Sequence, residues 1–137
     1  MARPRILDTN VLINHWRRLD KKPQTAPTAS EMRLHAEELI EFEGTNLIVS
    51  PVLIEFLVGA RTSGELDLYK AYLEPFRVLD KGEIPRQDWD EAKRLAQWIR
   101  TGRERRLGDC LIAAIAKRFN GDIVSADPDF KSRVLPQ

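Results

Sequence analysis

The chain reads as an α/β sandwich, with helices on both faces of a central, mainly parallel sheet of four to five strands. Three observations predict this. Short apolar runs recur at residues 6–7, 47–49, 76–79 and 123–125, each separated from the next by segments with helical spacing. Strands that alternate with helices pair in parallel, because the intervening helix returns the chain across the sheet. The length of 137 residues suits a single domain, spanning 1–137, with a real core.

Each element has its own justification. Ile6 and Leu7 form a strand that stops at Asp8-Thr9-Asn10, and residues 11–18 then take helical spacing. Residues 19–29 are rich in Lys, Pro and Thr and read as a loop. Thr28 and Glu31 have the spacing of a capping box before an amphipathic helix that Gly44 ends. After the strand at 47–49, Ser50 as N-cap and Pro51 as first helical residue start a helix through Glu55 to about Ala60. Ser63 caps another, ending near Pro75. The strand at 76–79 is followed by a helix that Pro85 and Asp88 open and that runs through Ala92, Leu95, Trp98 and Ile99. Residues 107–119 form the clearest helix, so apolar from Leu111 to Ala116 that it is expected to be buried. Gly121 breaks the chain before the strand at 123–125, and residues 134–135 add a last edge strand.

Composition narrows the function classes. With 42% apolar and 31% charged residues the chain is too apolar to be disordered. The net charge of +1 excludes a polycation, so any nucleic-acid binding must come from local clusters of Arg and Lys. The single cysteine, Cys110, excludes an internal disulfide and favours a reducing, cytoplasmic setting. No signal-peptide pattern and no apolar stretch of membrane-spanning length is present, so no membrane role is expected.

Four acids carry the chemistry. Asp8 ends the first strand and Asp127 lies just beyond the fourth, and parallel α/β sheets bind ligands outside the carboxyl ends of their strands. Glu55 is the single acid in Val52–Val58, where burial of a lone charge is costly. Asp109 sits in the first turn of the apolar helix, where the helix dipole favours a carboxylate. Each has an ordinary reading taken alone: an N-cap for Asp8 or Asp109, a solvated helix residue for Glu55, a turn around Pro128 for Asp127. Together they converge on one sheet edge. Packed carboxylates repel, and a hard divalent cation such as Mg2+ or Mn2+ resolves that conflict. The chemistry that fits is metal-assisted hydrolysis of a phosphodiester.

The motifs Asp8-Thr9-Asn10, Ser50 to Glu55 with Gly59, Gly108 to Ala114, and Ser125 to Phe130 together resemble the PIN domain, and most closely the VapC-type toxins of type II toxin–antitoxin pairs. The resemblance covers nearly the whole chain. It implies a PIN-like α/β/α sandwich and an endoribonuclease dependent on Mg2+, with Mn2+ as the alternative. It further implies RNA as substrate, inhibition by a VapB-type antitoxin, and a homodimer. Asp8, Glu55 and Asp109 match the family's regular metal-site acids, and Asp127 matches a more variable fourth, with Asp129 competing for that role. Asn10 and Ser125 match supporting polar positions. Cys110 stands where an aliphatic residue is usual, and the 19–29 loop is longer than typical.

The remaining signals are softer. Arg17, Arg103, Arg105 and Arg106 are candidates to hold RNA phosphates beside the acids, against the plainer reading of a solvated surface. His15 and His35 lack ligand spacing. Trp89 and Trp98 read as helix-face packing. The rival readings are a catalytically weak PIN-like interaction module and a different metal-dependent phosphohydrolase. An aspartyl phosphatase would want a second Asp two positions after Asp8, where Asn10 stands.

Overall fold

A computed structural model describes residues 2–19, 26–97 and 106–126. The strands are short: β1 (Arg5–Leu7), β2 (Leu47–Ile48), β3 (Arg77–Val78) and β4 (Asp122–Val124). Helix α1 (Thr9–Arg18) follows β1, and α2 (Ala29–Glu43) leads into β2. Helices α3 (Ser50–Val58) and α4 (Ser63–Leu73) carry the chain to β3, and α5 (Arg86–Ala96) and α6 (Leu107–Arg118) carry it to β4. Every connection holds at least one helix, and every strand pair is parallel, in the order β3-β2-β1-β4. β1 pairs Ile6 with Leu47 on one side and with Ile123 on the other.

That order places the site. The chain grows from β1 through β2 to β3 in one direction, then β4 docks on the opposite side of β1. The strand order thus reverses at β1 and β4, and a crevice opens beyond their carboxyl ends. Ile6 and Leu7 point to opposite faces of the sheet, and both are fully buried, so both faces are covered. α2 packs on α4 and α5 on α6, while α3 touches α1, α4 and α6. Trp16, Phe56, Tyr69, Tyr72 and Phe76 form an aromatic core between α1, α3 and α4, with Trp16 meeting three of these rings edge-on.

Local chemistry explains most boundaries. Thr28 accepts a hydrogen bond from the Glu31 amide at the start of α2, and Gly44, at φ 74°, closes that helix in a left-handed conformation suited to glycine. Two expected caps move by one residue. Thr62 rather than Ser63 caps α4, its Oγ1 accepting from the Glu65 amide at 3.0 Å. Ser50 is the first residue of α3 rather than its N-cap. Its amide and hydroxyl donate to the two carboxylate oxygens of Asp80, at 2.8 and 2.5 Å. Buried Asp80, just past β3, thus does from thirty residues away what Ser50 was expected to do itself. Pro85 and Asp88 open α5 as expected, as N-cap and first-turn acid, and Asp88 is in addition buried and receives Arg118 of α6 at 2.9 and 3.0 Å. Trp89, expected to pack, is 45% exposed. Trp98, Ile99 and the expected strand at 134–135 lie outside the described residues.

Candidate active site

Asp8 follows β1 directly and caps α1. Its carboxylate is buried, and each oxygen has a donor: the Thr9 amide at 2.8 Å and the Ser125 hydroxyl at 2.9 Å. Its own amide donates to Val124 O at 2.8 Å, which ties it to the end of β4. A buried carboxylate needs such donors to remain ionised. Ser125 lies just past β4 rather than in it, and its hydroxyl is aimed at Asp8.

Glu55 reaches the same edge from α3. Thr9 Oγ1 donates to Glu55 Oε1 at 3.1 Å, so the residue between Asp8 and Asn10 links the start of α1 to α3. Burial pushes the Glu55 carboxyl above the usual carboxylate range. The Thr9 hydroxyl opposes the rise, the charges of Asp109 and Asp8 add to it, and Arg106 works against it. The carboxylate lies against Gly108 in the first turn of α6. A Cβ on Gly108 would stand 2.5 Å from Glu55 Oε1 and 2.8 Å from its carboxyl carbon. Glycine at 108 is what lets Glu55 approach the helix turn that carries Asp109.

These groups line one hollow of about 500 Å³: Asp8, Thr9, Asn10, Glu55, Arg106 and Asp109, with an apolar rim. The rim corrects one expectation. The Val52–Val58 run suggests that Glu55 is embedded in apolar surroundings, yet only Val52 and Phe56 are fully packed. Ile54 and Val58 are 57% and 75% exposed at the mouth of the hollow. Glu55 is half-buried, and what perturbs it is the hollow and its fellow acids.

The hollow thus gathers Asp8, Glu55, Asp109 and Asn10 with Arg106, and Ser125 reaches Asp8 from behind. Arg17 is exposed on α1 and lines a neighbouring hollow. Asp127, Asp129, Arg103 and Arg105 lie outside the described residues. Thr9, Gly108 and Asp80 carry structural duties around the acids that the motifs alone do not assign to them. For Asp80 a signal existed: like Asp8, it is an acid that follows a strand. The histidines sit elsewhere. His15 shares a 2.6 Å hydrogen bond with Tyr72, and burial pushes its pKa down, while His35 faces Glu38.

Among the described residues no three acids are drawn tightly enough to enclose an ion. The donor set of the hollow is nonetheless that of a hard divalent cation: carboxylate, amide and hydroxyl oxygens, without sulfur or imidazole. The seat that glycine leaves at 108 brings the Glu55 carboxylate to that set. No described helix is long and apolar enough to cross a membrane.

Comparison with curated proteins and with solved structures gave no match. Residues 5–134 match the PIN domain, whose members are typically nucleases that use divalent metal ions. The match runs from β1 past β4 and takes in every element that brings an acid to the hollow, so the chain belongs to the PIN domain family.

Proposed function

We propose that this protein is an Mg2+- or Mn2+-dependent endoribonuclease and the toxin of a toxin–antitoxin pair. The observation that carries the reading is the convergence of Asp8, Glu55 and Asp109 on one hollow beyond the carboxyl ends of β1 and β4. Asp8, Glu55 and Asp109, with Asp127, would hold the cation. When bound, it supplies an activated water and neutralises charge growing on the phosphate.

The chain's own groups prepare that chemistry. Ser125 and the Thr9 amide fix both oxygens of Asp8. The Thr9 hydroxyl and Gly108 set where the Glu55 carboxylate lies. Arg106, on the wall of the hollow, supplies positive charge for the substrate phosphate. Asn10 offers an amide to the same space.

The toxin role, the VapB-type antitoxin and the homodimer rest on the resemblance of the four motifs to VapC-type toxins. Expression in bacteria should arrest growth, and Asp8→Asn should relieve the arrest. The catalytic reading is tested by RNA cleavage in Mg2+ or Mn2+, with EDTA and Asp8→Asn as controls. EDTA should abolish cleavage. Asp8→Asn should lower it beyond the roughly 10–100-fold typical of losing an outer-shell partner. Full cleavage under both controls would contradict the mechanism, and no cleavage by clean protein would favour an interaction module.

A further inference from the structure

The described cations near the two ends of α6 differ in how they are paired. On α5 and α6 they are matched by acids: Arg86 and Lys93 with Asp90, Arg94 and Lys117 with Glu91, Arg118 with Asp88. Around the acidic hollow they are not. Arg17, Arg61 and Arg106 have no ion-pair partner among the described residues. Arg5, Arg18, Lys70, Arg77 and Lys81 also form no ion pair among the described residues, but line neither the acidic hollow nor its neighbour beside α1.

Arg106 belongs to the acidic hollow. Arg17 and Arg61 belong to the neighbouring one, of about 430 Å³, between α1, α3 and the start of α4. The two hollows share Ile13 and Glu55 in their walls, so they adjoin at the Glu55 side chain. The second hollow has a rigid wall. Tyr69 is held against Trp16 and Phe56 with ring centroids 4.8 and 4.7 Å apart. The charges of Arg17 and Arg61 both reach the Tyr69 hydroxyl, where they oppose the upward push of burial and of Glu65 on its pKa.

Glu65 is the one other acid on this wall, and it does not neutralise Arg61. Its Oε1 accepts the Arg61 backbone amide at 3.3 Å, and no ion pair joins its carboxylate to the Arg61 guanidinium among the described residues. The start of α4 thus gives Glu65 a neutral donor, and Arg61 itself is exposed. Two exposed guanidinium groups on a rigid wall, one step from a phosphodiester-cutting centre, match the needs of a flanking phosphate.

Among the described residues one side of the acidic hollow offers a strand phosphate contacts beyond it. The Ile54 and Val58 rim offers a phosphate nothing, whereas the Ile13 and Glu55 side opens onto Arg17 and Arg61. An acidic peptide seated on the arginines would have its carboxylates facing Glu55, with no phosphodiester to place at the centre. We propose that this second hollow is a phosphate subsite, in which Arg17 and Arg61 hold the backbone of single-stranded RNA beside the bond to be cut. The proposal rests on the ribonuclease reading above.

The test is the double variant Arg17→Gln/Arg61→Gln, with Arg94→Gln as a control from the paired set. Binding of a short single-stranded oligoribonucleotide is measured against salt, with Asp8→Asn in each protein to prevent cleavage. Affinity should fall about tenfold, and the slope of log affinity against log salt should shrink by roughly 1.4, about 0.7 for each phosphate that is no longer neutralised. In proteins that retain Asp8, KM for RNA should rise by a similar factor with kcat held. Hydrolysis of a small aryl phosphodiester, which reaches only the acidic hollow, should not change. Arg17→Lys/Arg61→Lys should restore most of the affinity. Unchanged affinity and slope in the glutamine variant overturn the subsite, as does loss of binding to a polyglutamate peptide with RNA binding intact. Should the slope shift while the parent protein cuts neither RNA nor the small ester, the subsite stands and the ribonuclease reading falls.

Discussion

The two ends of α6 treat charge in opposite ways. At its C-terminal end Arg118 grips the buried carboxylate of Asp88, and Lys117 and Arg94 share Glu91. At its N-terminal end Asp109 joins Glu55 and Asp8, acids that raise the Glu55 pKa, while Arg106 has no ion-pair partner among the described residues. Both ends are made from the same residue types. The first arrangement satisfies itself and holds α5 to α6. The second sets like charges side by side, with Arg106 outside any ion pair among the described residues, which is the pattern of a ligand site rather than of a structural pair.

Substitutions at the two ends should therefore separate activity from stability. The largest effect is expected from Gly108→Ala. Its Cβ would displace the Glu55 carboxylate, the far end of a flexible side chain, so the fold should tolerate it. Alanine is also the better helix former, by up to about 1 kcal/mol in a helix interior and by less in this first turn. Melting temperature should hold or rise while RNA cleavage falls by about 10–100-fold, the usual loss when a positioning interaction fails. A variant that keeps full activity would show that Glu55 need not lie where it does.

At the other end Arg118→Met should do the reverse. Asp88 would be left buried and unpaired, and the stability lost should approach about 3 kcal/mol in denaturant unfolding. Activity per folded molecule should hold. Adding Asp88→Asn should recover much of the loss, because the stranded charge is gone. No recovery would mean that the packing of Arg118 on Phe119 and its bond to Glu83 O matter more than the ion pair.

The smallest effect concerns pH. The folded-state pKa of Glu55 is raised, so the folded protein binds its proton more tightly than the unfolded chain does. Ionised Glu55 therefore costs stability above its folded pKa, and the cost fades as pH falls through that value to the unfolded 4.5. Metal-free Glu55→Gln should be slightly more stable than the parent near neutral pH, and the difference should vanish at acid pH. A constant difference would point to packing rather than charge.

How much of this was legible in the sequence follows from the range of each interaction. Asp8 and Asp109 were readable because each is placed by its own element, a strand end and a helix start. The alternation of strands and helices fixed the layers for the same reason. The Thr9–Glu55 bond spans 46 residues, and the seat at Gly108 depends on how α3 meets α6, so neither leaves a local trace. Ser50-Pro51 had the pattern of a cap, but Asp80 filled that role from the end of β3. The Val52–Val58 run looked buried because composition alone does not separate the face of α3 that packs from the one that rims the hollow.

The central claim is that the acids beyond β1 and β4 form a divalent-cation site, and Mn2+ titration followed by thermal unfolding tests it most directly. A cation that binds only the folded state raises the melting temperature in proportion to the logarithm of its concentration. The account predicts that rise for the parent protein and its loss in Asp8→Asn. Identical melting curves for the two proteins at every Mn2+ concentration would contradict it.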